Sequence, residues 1–279
     1  MTPGAANWEW SRMNGKTLRL RRILSRIDGR SVILPLDHGV TMGPIPGIER
    51  LDATMEAGVR GGADALILHK GMLRCLKSAT GRAPGIIMHL SASTELGPCC
   101  CHKVLIGSVE EALRAGADAV SFHLNLGGNH ESEMLRDLGA IGRSCADWQV
   151  PLLVMAYPCG AEITGPVSDA QVAHGARVAA ELGADIIKIP FPKDFQILAR
   201  ISSSLTVPIV VAGGQSMKIE DTLERIDRSL QAGTSGVAAG RNVFQQQDPE
   251  AVLRAICDVV HRGISAKEAL ENLKAGPSN

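Results

Sequence analysis

The chain has 279 residues, of which 45% are hydrophobic and 21% are charged, and its 29 basic side chains balance 29 acidic ones. This composition excludes a disordered chain and gives no sign of a surface that attracts polyanions. Aromatic residues make up only 3%, too few for the stacking platforms on which single-stranded nucleic acids bind. We therefore expect a folded protein, of one large domain or two small ones, with no nucleic-acid partner.

The cysteine pattern and the first ten residues indicate the cellular compartment of the protein. The seven cysteines are an odd number and lack the spacing of a disulfide framework, so we expect reduced thiols. The opening MTPGAANWEW lacks the basic and apolar regions of a signal peptide, and no apolar run approaches the roughly 18 residues of a membrane helix. We expect a soluble, cytoplasmic protein with no membrane partner.

The first predicted element is a basic amphipathic helix in RLRRILSRIDGR (19–30), where five arginines alternate with Leu and Ile. Such a helix can bind a membrane, but packing over the bottom of the domain or against a neighbouring subunit is the more ordinary use. We treat residues 1–30 as an N-terminal extension, 31–273 as a single domain and 274–279 as a tail.

Eight short apolar runs follow, each suited to a strand buried on both faces of a parallel sheet. The second, fourth, sixth and eighth runs echo one another, because small residues including glycine precede the apolar stretch. Glycine there permits the left-handed turn that ends a preceding helix. In chain order the runs are SVILPLD (31–37), GGADALIL (61–68), PGIIMHL (84–90), AGADAVSF (115–122), PLLVMAY (151–157), LGADIIKI (182–189), VPIVVAG (207–213) and AGTSGVAA (232–239).

Helical patterns separate most of these runs, which predicts an α/β protein with a (β/α)₈ TIM barrel. No clear helix follows the second run, so a doubly wound open sheet is the alternative. The absence of a GxGxxG after the first run disfavours that alternative. The predicted helices lie near 52–60, 108–115, 131–148, 169–182, 193–203, 218–232 and 249–262.

Lys188 lies inside the apolar run of the sixth strand, ADIIKIPF (184–191). Active sites of such barrels collect at the carboxyl ends of the strands, so a lysine there is a candidate catalytic residue. An ammonium ion in an apolar pocket loses hydration, which favours the neutral amine that attacks a carbonyl to form a Schiff base. The alternative is a lysine whose charge reaches solvent or pairs with a carboxylate.

Tyr157 and Asp37 end the fifth and first strands and are candidates for proton transfer. A phenol can give or take a proton at a carbinolamine, although a lone tyrosine also serves as an amphipathic core residue. A carboxylate can deprotonate the hydroxyl whose carbon–carbon bond breaks, or it can simply cap the following loop. Both alternatives stay open at this stage.

The last two strands end in glycine-rich loops that are typical of a phosphate site in this barrel class. Gly213 and Gly214 in VVAGG, and Gly240 in VAAGRN, let backbone amides approach a phosphate, and Arg241 can hold its oxygens in a bidentate manner. Three further strand-end residues are predicted to bind substrate, namely His38, Lys70 and His123.

Histidines 38, 69, 89 and 123 end four strands, which raises the alternative of a divalent metal that polarises a carbonyl. No His-x-His or His-Glu-x-x-His spacing is present, so we expect no metal. The run from Cys99 to His102 resembles a ligand set but lacks zinc-site spacing, and adjacent residues of an extended loop point apart. We interpret it as a loop of incidental thiols.

Taken together, the motifs resemble the archaeal-type class I aldolases over residues 18–273. The likeness is greatest to the 2-amino-3,7-dideoxy-D-threo-hept-6-ulosonate synthases, which are transaldolase relatives of the archaeal-type fructose-bisphosphate aldolases. The motifs that carry it are LPLDHGV, ILHKG, HLSAST, ADAVSFHLNLGG, PLLVMAYP, GADIIKI, IVVAGG and VAAGRNVFQ.

The resemblance implies roles for particular residues: the Schiff-base lysine is Lys188, the proton-transferring tyrosine Tyr157 and the carboxylate Asp37. It places the phosphate loops at Gly213 and Gly214 and at Gly240 and Arg241. It implies no cofactor, and it implies a homo-oligomer, with a decamer built from pentamers as the expected form. KIPFPKDF and ELGPCCCHK depart from the synthase pattern, at the place where the aldehyde would bind.

The sequence therefore predicts a class I aldolase or transaldolase. It would condense a donor from a ketose phosphate or dihydroxyacetone phosphate with an aldehyde such as aspartate semialdehyde. The first alternative is a fructose-bisphosphate aldolase of sugar metabolism. A metal-dependent aldolase and a non-catalytic sugar-phosphate sensor are further alternatives.

Overall fold

The structure is a computed structural model that describes residues 14–76 and 83–276. Eight parallel strands close into a barrel in the order β1-β2-β3-β6-β7-β8-β9-β10, and β4 pairs antiparallel with β5 beside it. The predicted (β/α)₈ TIM barrel is thus confirmed. The strands are β1 (Ser31–Pro35), β2 (Ala65–Leu68), β3 (Gly85–His89), β4 (Ser91–Ala92), β5 (Val104–Leu105), β6 (Ala119–Leu126), β7 (Leu152–Pro158), β8 (Ile186–Ile189), β9 (Ile209–Ala212) and β10 (Gly236–Ala238).

Helices occur at all seven predicted places: six lie between successive barrel strands, and the seventh, α10 (Pro249–Arg262), follows the last strand. The sequence periodicity did not predict four further helical elements. Three of them, α2 (His38–Met42), α9 (Arg241–Phe244) and a 3₁₀ helix (Lys70–Cys75), are too short to show a full repeat of the 3.6-residue pattern, and the fourth is α11 (Ala266–Ala275). None of the helices in the described ranges has the length and hydropathy to cross a bilayer. The helices are α1 (Gly15–Ile23), α2 (His38–Met42), α3 (Leu51–Arg60), α4 (Val109–Arg114), α5 (Glu131–Asp147), α6 (Asp169–Glu181), α7 (Phe195–Ser204), α8 (Ile219–Gln231), α9 (Arg241–Phe244), α10 (Pro249–Arg262) and α11 (Ala266–Ala275).

Each barrel strand sends alternate side chains to two different cores, because successive residues of a strand point to opposite faces. On β1, Val32 and Leu34 join the outer core beneath the helices, whereas Ile33 points into the barrel. The inner core consists of Ile33, Ala65, Ile67, Ile87, Ala119, Leu153, Met155, Ile186, Val210 and Ala238, with Ile23 and Leu24 below them. The barrel interior is therefore filled with apolar side chains from its lower end up to the level of Met155.

The aspartates of the repeated GAD motif close the lower end of the barrel. Asp64, Asp118 and Asp185 each precede a barrel strand, and each carboxylate accepts a hydrogen bond from the amide of a residue on the neighbouring strand, at 2.8–2.9 Å. The fourth repeat, AGTSGVAA, has no aspartate, and there the carbonyl of Ser235 accepts the amide of Ser31 instead. The internal repeat seen in the sequence is thus a repeated way of joining adjacent strands.

Helix α1 covers this lower end, as expected for the arginine-rich segment. Ile23 is fully buried below the inner core. Lys16 pairs with Asp185 and Arg22 with Asp118, at 2.7 and 2.8 Å. The cations of α1 therefore neutralise two of the aspartates that join the strands.

His261, at the end of α10, pairs with the third of these aspartates, Asp64. Its Nε2 lies 2.8 Å from Asp64 Oδ2, and its Nδ1 lies 2.8 Å from Asp28 Oδ2. Burial opposes protonation, but the two carboxylates outweigh it and raise the pKa of His261 to about 9. The imidazolium thus stabilises the contact of α10 with the barrel bottom.

This raised pKa makes part of the stability depend on pH. Below about pH 6.5 the imidazole is protonated in both the folded and the unfolded chain, and between pH 6.5 and 9 only the folded chain keeps the proton. We expect His261→Gln to lower the free energy of unfolding by about 3 kcal/mol more at pH 6 than at pH 9.5, measured by urea unfolding. The exposed His174→Gln on α6 is the control, and an equal loss at both pH values would contradict the assignment.

Candidate active site

The carboxyl ends of the barrel strands carry polar residues on the same inward face that is apolar further down. Continuing the alternation past Ile33 and Pro35 brings Asp37 to the inner face, and the same step leads from Ile186 to Lys188. The inward positions at this level are Asp37, His69, His89, His123, Tyr157, Lys188, Gly214 and Gly240. A ring of polar groups therefore stands on an apolar floor.

Lys188 lies at the boundary between that floor and the polar ring. Its side chain is buried, at 8% exposure, and β7 and β9 place Met155 and Val210 opposite it. Nζ donates a hydrogen bond to the sulfur of Met155 at 3.9 Å, and among the described residues no carboxylate lies within 4.0 Å. The terminal amine thus ends in weakly polar surroundings without an ion-pair partner in contact.

Tyr157 lies two residues beyond Met155 on β7, so both side chains point to the same face. Its ring packs against the inner core and makes a tilted contact with His123, with centroids 4.9 Å apart. The phenol consequently stands one step above Lys188, toward the mouth of the barrel.

A cavity of about 430 Å³ opens above Lys188 and contains seven of the ten site residues predicted from the sequence. These are Lys188, Tyr157, His38, Gly213, Gly214, Gly240 and Arg241. Sequence analysis missed other parts of the wall, namely Pro190 and Phe191 after β8, Gln215 and Met217 after β9, and Arg225 on α8. Arg225 was not predicted because it lies on α8 and not at the end of a strand. Its guanidinium carbon Cζ lies 5.7 Å from the centroid of the Phe191 ring.

Asp37 lies outside the cavity wall but beside it, within a group of imidazoles. Its carboxylate oxygens lie 3.7 Å from His38 Nδ1 and 3.9 Å from His89 Nε2. Burial raises the pKa of Asp37, but His89 and His38, which become cations in the acidic range where this carboxylate titrates, and Lys188 outweigh it and hold that pKa below its usual range. Asp37 is therefore ionised at neutral pH.

The four mouth histidines are neutral bases in this setting. Burial lowers the pKa of His89 to about 3, and it also lowers the pKa of His38, His69 and His123. His89 Nδ1 shares a hydrogen bond of 2.7 Å with Ser121 Oγ, while His69 and His89 meet edge to face. Within the described ranges these histidines do not bring three ligand atoms to one point, so their geometry does not support the metal alternative.

The two glycine-rich loops after β9 and β10 face each other across the cavity. Asn242, which is buried, donates from Nδ2 to the carbonyl of Gly213 and accepts the amide of Met217, at 2.5 and 2.8 Å. The Gly213 amide donates a hydrogen bond to the carbonyl of Ala238, so it is not available to an anion. The hydrogen-bond donors left for an anion are those of Gly214, Gly240 and Arg241. The Nε of Arg241 is buried and lacks a hydrogen-bond partner in the described structure, as expected of a group that awaits an anion.

The structure separates two predicted substrate-binding residues from the cavity. Lys70 is one residue past the inward His69, so it points outward, and its Nζ lies 3.1 Å from Glu111 Oε1 and 2.8 Å from the carbonyl of Ile106. His123 meets the cavity only through Tyr157, and its amide donates to Ser91 Oγ at 3.0 Å.

One expectation about the cysteines is wrong. Cys101 and Cys159 form a disulfide, with their Cα atoms 6.2 Å apart, which joins the loop between β4 and β5 to the end of β7. The two residues are 58 positions apart and meet only because this loop folds across the barrel mouth, where Asn125 Nδ2 donates to the Cys101 carbonyl at 2.6 Å. Cys75, Cys99, Cys100, Cys145 and Cys257 are free thiols, as expected.

A closed parallel barrel with a buried lysine at the end of a strand, below a cavity lined by two glycine-rich loops, is the arrangement expected of a barrel aldolase that uses an amine nucleophile. The model of the DeoC/LacD family aldolases matches residues 31–246, and the chain belongs to this family.

Two curated relatives and one solved structure cover nearly the whole chain. The chain is 41% identical to 2-amino-4,5-dihydroxy-6-oxo-7-(phosphonooxy)heptanoate synthase of Streptomyces griseus, over 88% of this chain and 90% of that one. It is 40% identical to 2-amino-3,7-dideoxy-D-threo-hept-6-ulosonate synthase 1 of Archaeoglobus fulgidus, over 93% and 96%. An archaeal fructose-1,6-bisphosphate aldolase, whose catalytic Lys is covalently bound to the carbinolamine intermediate, matches with TM-score 0.79 and 30% identity, over 88% of this chain and 99% of that one.

The anion pocket can be tested by filling the space at Gly240. A Cβ at this position would lie 2.8 Å from His38 Cε1 and 3.2 Å from the carbonyl oxygen of Pro35. We expect Gly240→Ala to displace the loop that carries Arg241 and to weaken inorganic phosphate binding roughly tenfold or more, measured by calorimetric titration. Gly139→Ala on α5, where a Cβ would meet nothing within 4 Å, is the matched control. Unchanged phosphate affinity in Gly240→Ala would place the pocket elsewhere.

Proposed function

We propose that the protein is a class I aldolase or transaldolase that joins Lys188 to the ketone carbon of a phosphorylated donor. The observation that carries the proposal is the position of Lys188, which is buried on an apolar floor directly below a cavity with an anion pocket on its far wall. A lysine held in this way needs no cofactor to activate a ketone. Membership of the DeoC/LacD aldolase family supports the same chemistry.

The phosphate of the donor would anchor first. Arg241 and the amides of Gly214 and Gly240 would hold its oxygens, and Asn242 keeps the two loops at a fixed separation. Because the same cavity includes Lys188 and Arg241, a three-carbon donor held by its phosphate presents its ketone to the amine. Binding energy at the phosphate is thus used to orient the reacting carbon.

The covalent step would proceed through a carbinolamine. The unprotonated amine of Lys188 would attack the ketone carbon and form the C–N bond, and the proton that the nitrogen then loses would move to the carbonyl oxygen, which becomes a hydroxyl. Tyr157, one step above on the same face, would protonate that hydroxyl, which leaves as water. The resulting iminium draws electrons from the adjacent carbon–carbon bond.

Asp37 would act on the other half of the substrate. In the cleavage direction its carboxylate takes the proton of the hydroxyl next to the breaking bond, the aldehyde leaves, and the electron pair forms an enamine with the iminium. In the synthetic direction the enamine carbon attacks the aldehyde and Asp37 returns the proton. The low pKa of Asp37 keeps it ionised at neutral pH for the first of these roles.

The acceptor would lie against the wall built by Pro190, Phe191 and Arg225. A guanidinium there can hold an anionic aldehyde, and the names of the 40–41% identical relatives favour an amino-acid-derived one such as aspartate semialdehyde. The same arginine can also hold the second phosphate of fructose 1,6-bisphosphate, and the similarity to an archaeal fructose-1,6-bisphosphate aldolase makes that cleavage the second candidate reaction. We propose the synthase reaction first, because the curated synthases are more similar in sequence.

The Schiff base can be trapped by reduction. Borohydride added with dihydroxyacetone phosphate should leave one stable adduct on Lys188, located by peptide mass spectrometry, and Lys188→Met should abolish both the adduct and turnover. Lys193→Met, an exposed lysine on the loop after β8, is the matched control and should be trapped like the parent. An adduct that persists in Lys188→Met would overturn the assignment.

The role of Asp37 can be separated from that of Lys188. Iminium formation with dihydroxyacetone phosphate involves no hydroxyl deprotonation, so Asp37→Asn should still be trapped by borohydride. Cleavage or condensation should fall by roughly 10²–10⁴-fold, because the proton acceptor is lost. If trapping and turnover decline together by the same factor, Asp37 acts on the lysine and not on the substrate hydroxyl.

A further inference from the structure

A second group of reactive side chains lies outside the aldolase site, on the rim of the barrel mouth. His102 comes from the loop between β4 and β5, and His130 and Glu133 come from the start of α5. One ligand atom of each residue lies within 4.8 Å of the other two. These residues have no role in the proposed aldolase chemistry.

Two distances in the group are close to the edges of a metal coordination shell. His102 Nε2 lies 3.2 Å from Glu133 Oε2, and His130 Nδ1 lies 3.5 Å from Glu133 Oε1. Ligands placed about 2.0–2.2 Å from a tetrahedral zinc ion are separated from each other by roughly 3.3–3.6 Å. The two imidazoles stack at a centroid distance of 3.8 Å, with 6° between their planes, so one ring has to rotate before both nitrogens can face the same ion.

The backbone around the group is fixed before any ion arrives. The Cys101–Cys159 disulfide anchors the residue next to His102, and Asn125 holds the Cys101 carbonyl at 2.6 Å. Before His130, the amide of Gly127 donates to Glu131 Oε2 at 2.6 Å. The backbone of Gly127 also lies so close to Gly160 that a Cβ added to Gly160 would clash with the Gly127 carbonyl. The two segments that carry the ligands, the loop between β4 and β5 and the start of α5, are therefore held in place by these contacts.

Space for an open coordination position adjoins the ligands. A cavity of about 140 Å³ is lined by His102 and His130, with the disulfide and Cys99 on its other walls. The three ligands are partly exposed, with Glu133 at 47%, so an ion can enter from solvent. Two neutral imidazoles and one carboxylate form a donor set of borderline softness, which favours zinc over magnesium or calcium.

We propose that His102, His130 and Glu133 bind one divalent zinc-class ion, with the fourth position open to the adjoining cavity. The ion would clamp the cysteine-rich loop onto the start of α5 at the rim, outside the cavity above Lys188. It takes no part in Schiff-base formation, so the proposal stands or falls independently of the aldolase assignment.

Zinc binding can be measured by competition with a chromophoric chelator on metal-free protein. The buffer is non-reducing, so that Cys101 and Cys159 stay in the disulfide and cannot bind zinc as thiolates. We expect one tight equivalent of Zn²⁺, and we expect His102→Ala and Glu133→Gln each to weaken it roughly tenfold or more. Glu133→Gln keeps the size of a half-exposed side chain, so its fold should survive, which is checked by an unchanged melting temperature without metal. Zn²⁺ should raise the melting temperature of the parent protein and not of these variants.

Two controls separate this site from other ligands of the surface. His174→Ala removes an exposed histidine on α6, and Cys99→Ser with Cys100→Ser removes the exposed thiols of the same loop. Both should bind zinc like the parent. The proposal is overturned if affinity follows Cys99 and Cys100, or if His102→Ala and Glu133→Gln bind as tightly as the parent.

Discussion

The burial of one ammonium-bearing side chain inside an apolar barrel is the constraint on which the rest of the site depends. Lys188 has Met155 and Val210 on either side and inner-core residues below, and its amine donates a hydrogen bond to a sulfur. Removing a charged amine from water is costly unless it is paired, and here no carboxylate is in contact among the described residues. Bonding of this nitrogen to the carbon of a ketone is the use that we propose for a lysine held in this way.

The barrel tolerates the free-energy cost of burying Lys188 because hydrogen bonds and ion pairs stabilise its lower half. Each GAD aspartate joins two strands by a backbone hydrogen bond and is paired with a cation from α1 or α10. Structural charges therefore collect at the amino ends of the strands, whereas chemical groups collect at the carboxyl ends. The two halves share one inward face, because side chains alternate along a strand with a period of two. On β8 this face carries Ile186 in the lower half and the proposed nucleophile Lys188 toward the mouth.

Much of this arrangement was predictable, because a strand buried on both faces reads as a continuous apolar run, and a polar residue within or after it is conspicuous. That is why Lys188, Tyr157, Gly213, Gly214, Gly240 and Arg241 were found without coordinates. Lys70, predicted to bind substrate, lies outside the cavity because a shift of one residue along a strand turns a side chain to the other face. Arg225, the Cys101–Cys159 disulfide and the group around His102 depend on long-range contacts, and no local pattern announces them.

The central claim is that the amine of Lys188 bonds to the ketone carbon of a donor whose phosphate lies between the last two strands. A crystal structure of the protein soaked with dihydroxyacetone phosphate tests both halves at once. The account predicts continuous density from Lys188 Nζ to the donor carbon, with the phosphate against Gly214, Gly240 and Arg241. A donor that is bound without a bond to Lys188, its ketone directed instead at the histidines of the mouth, would contradict it.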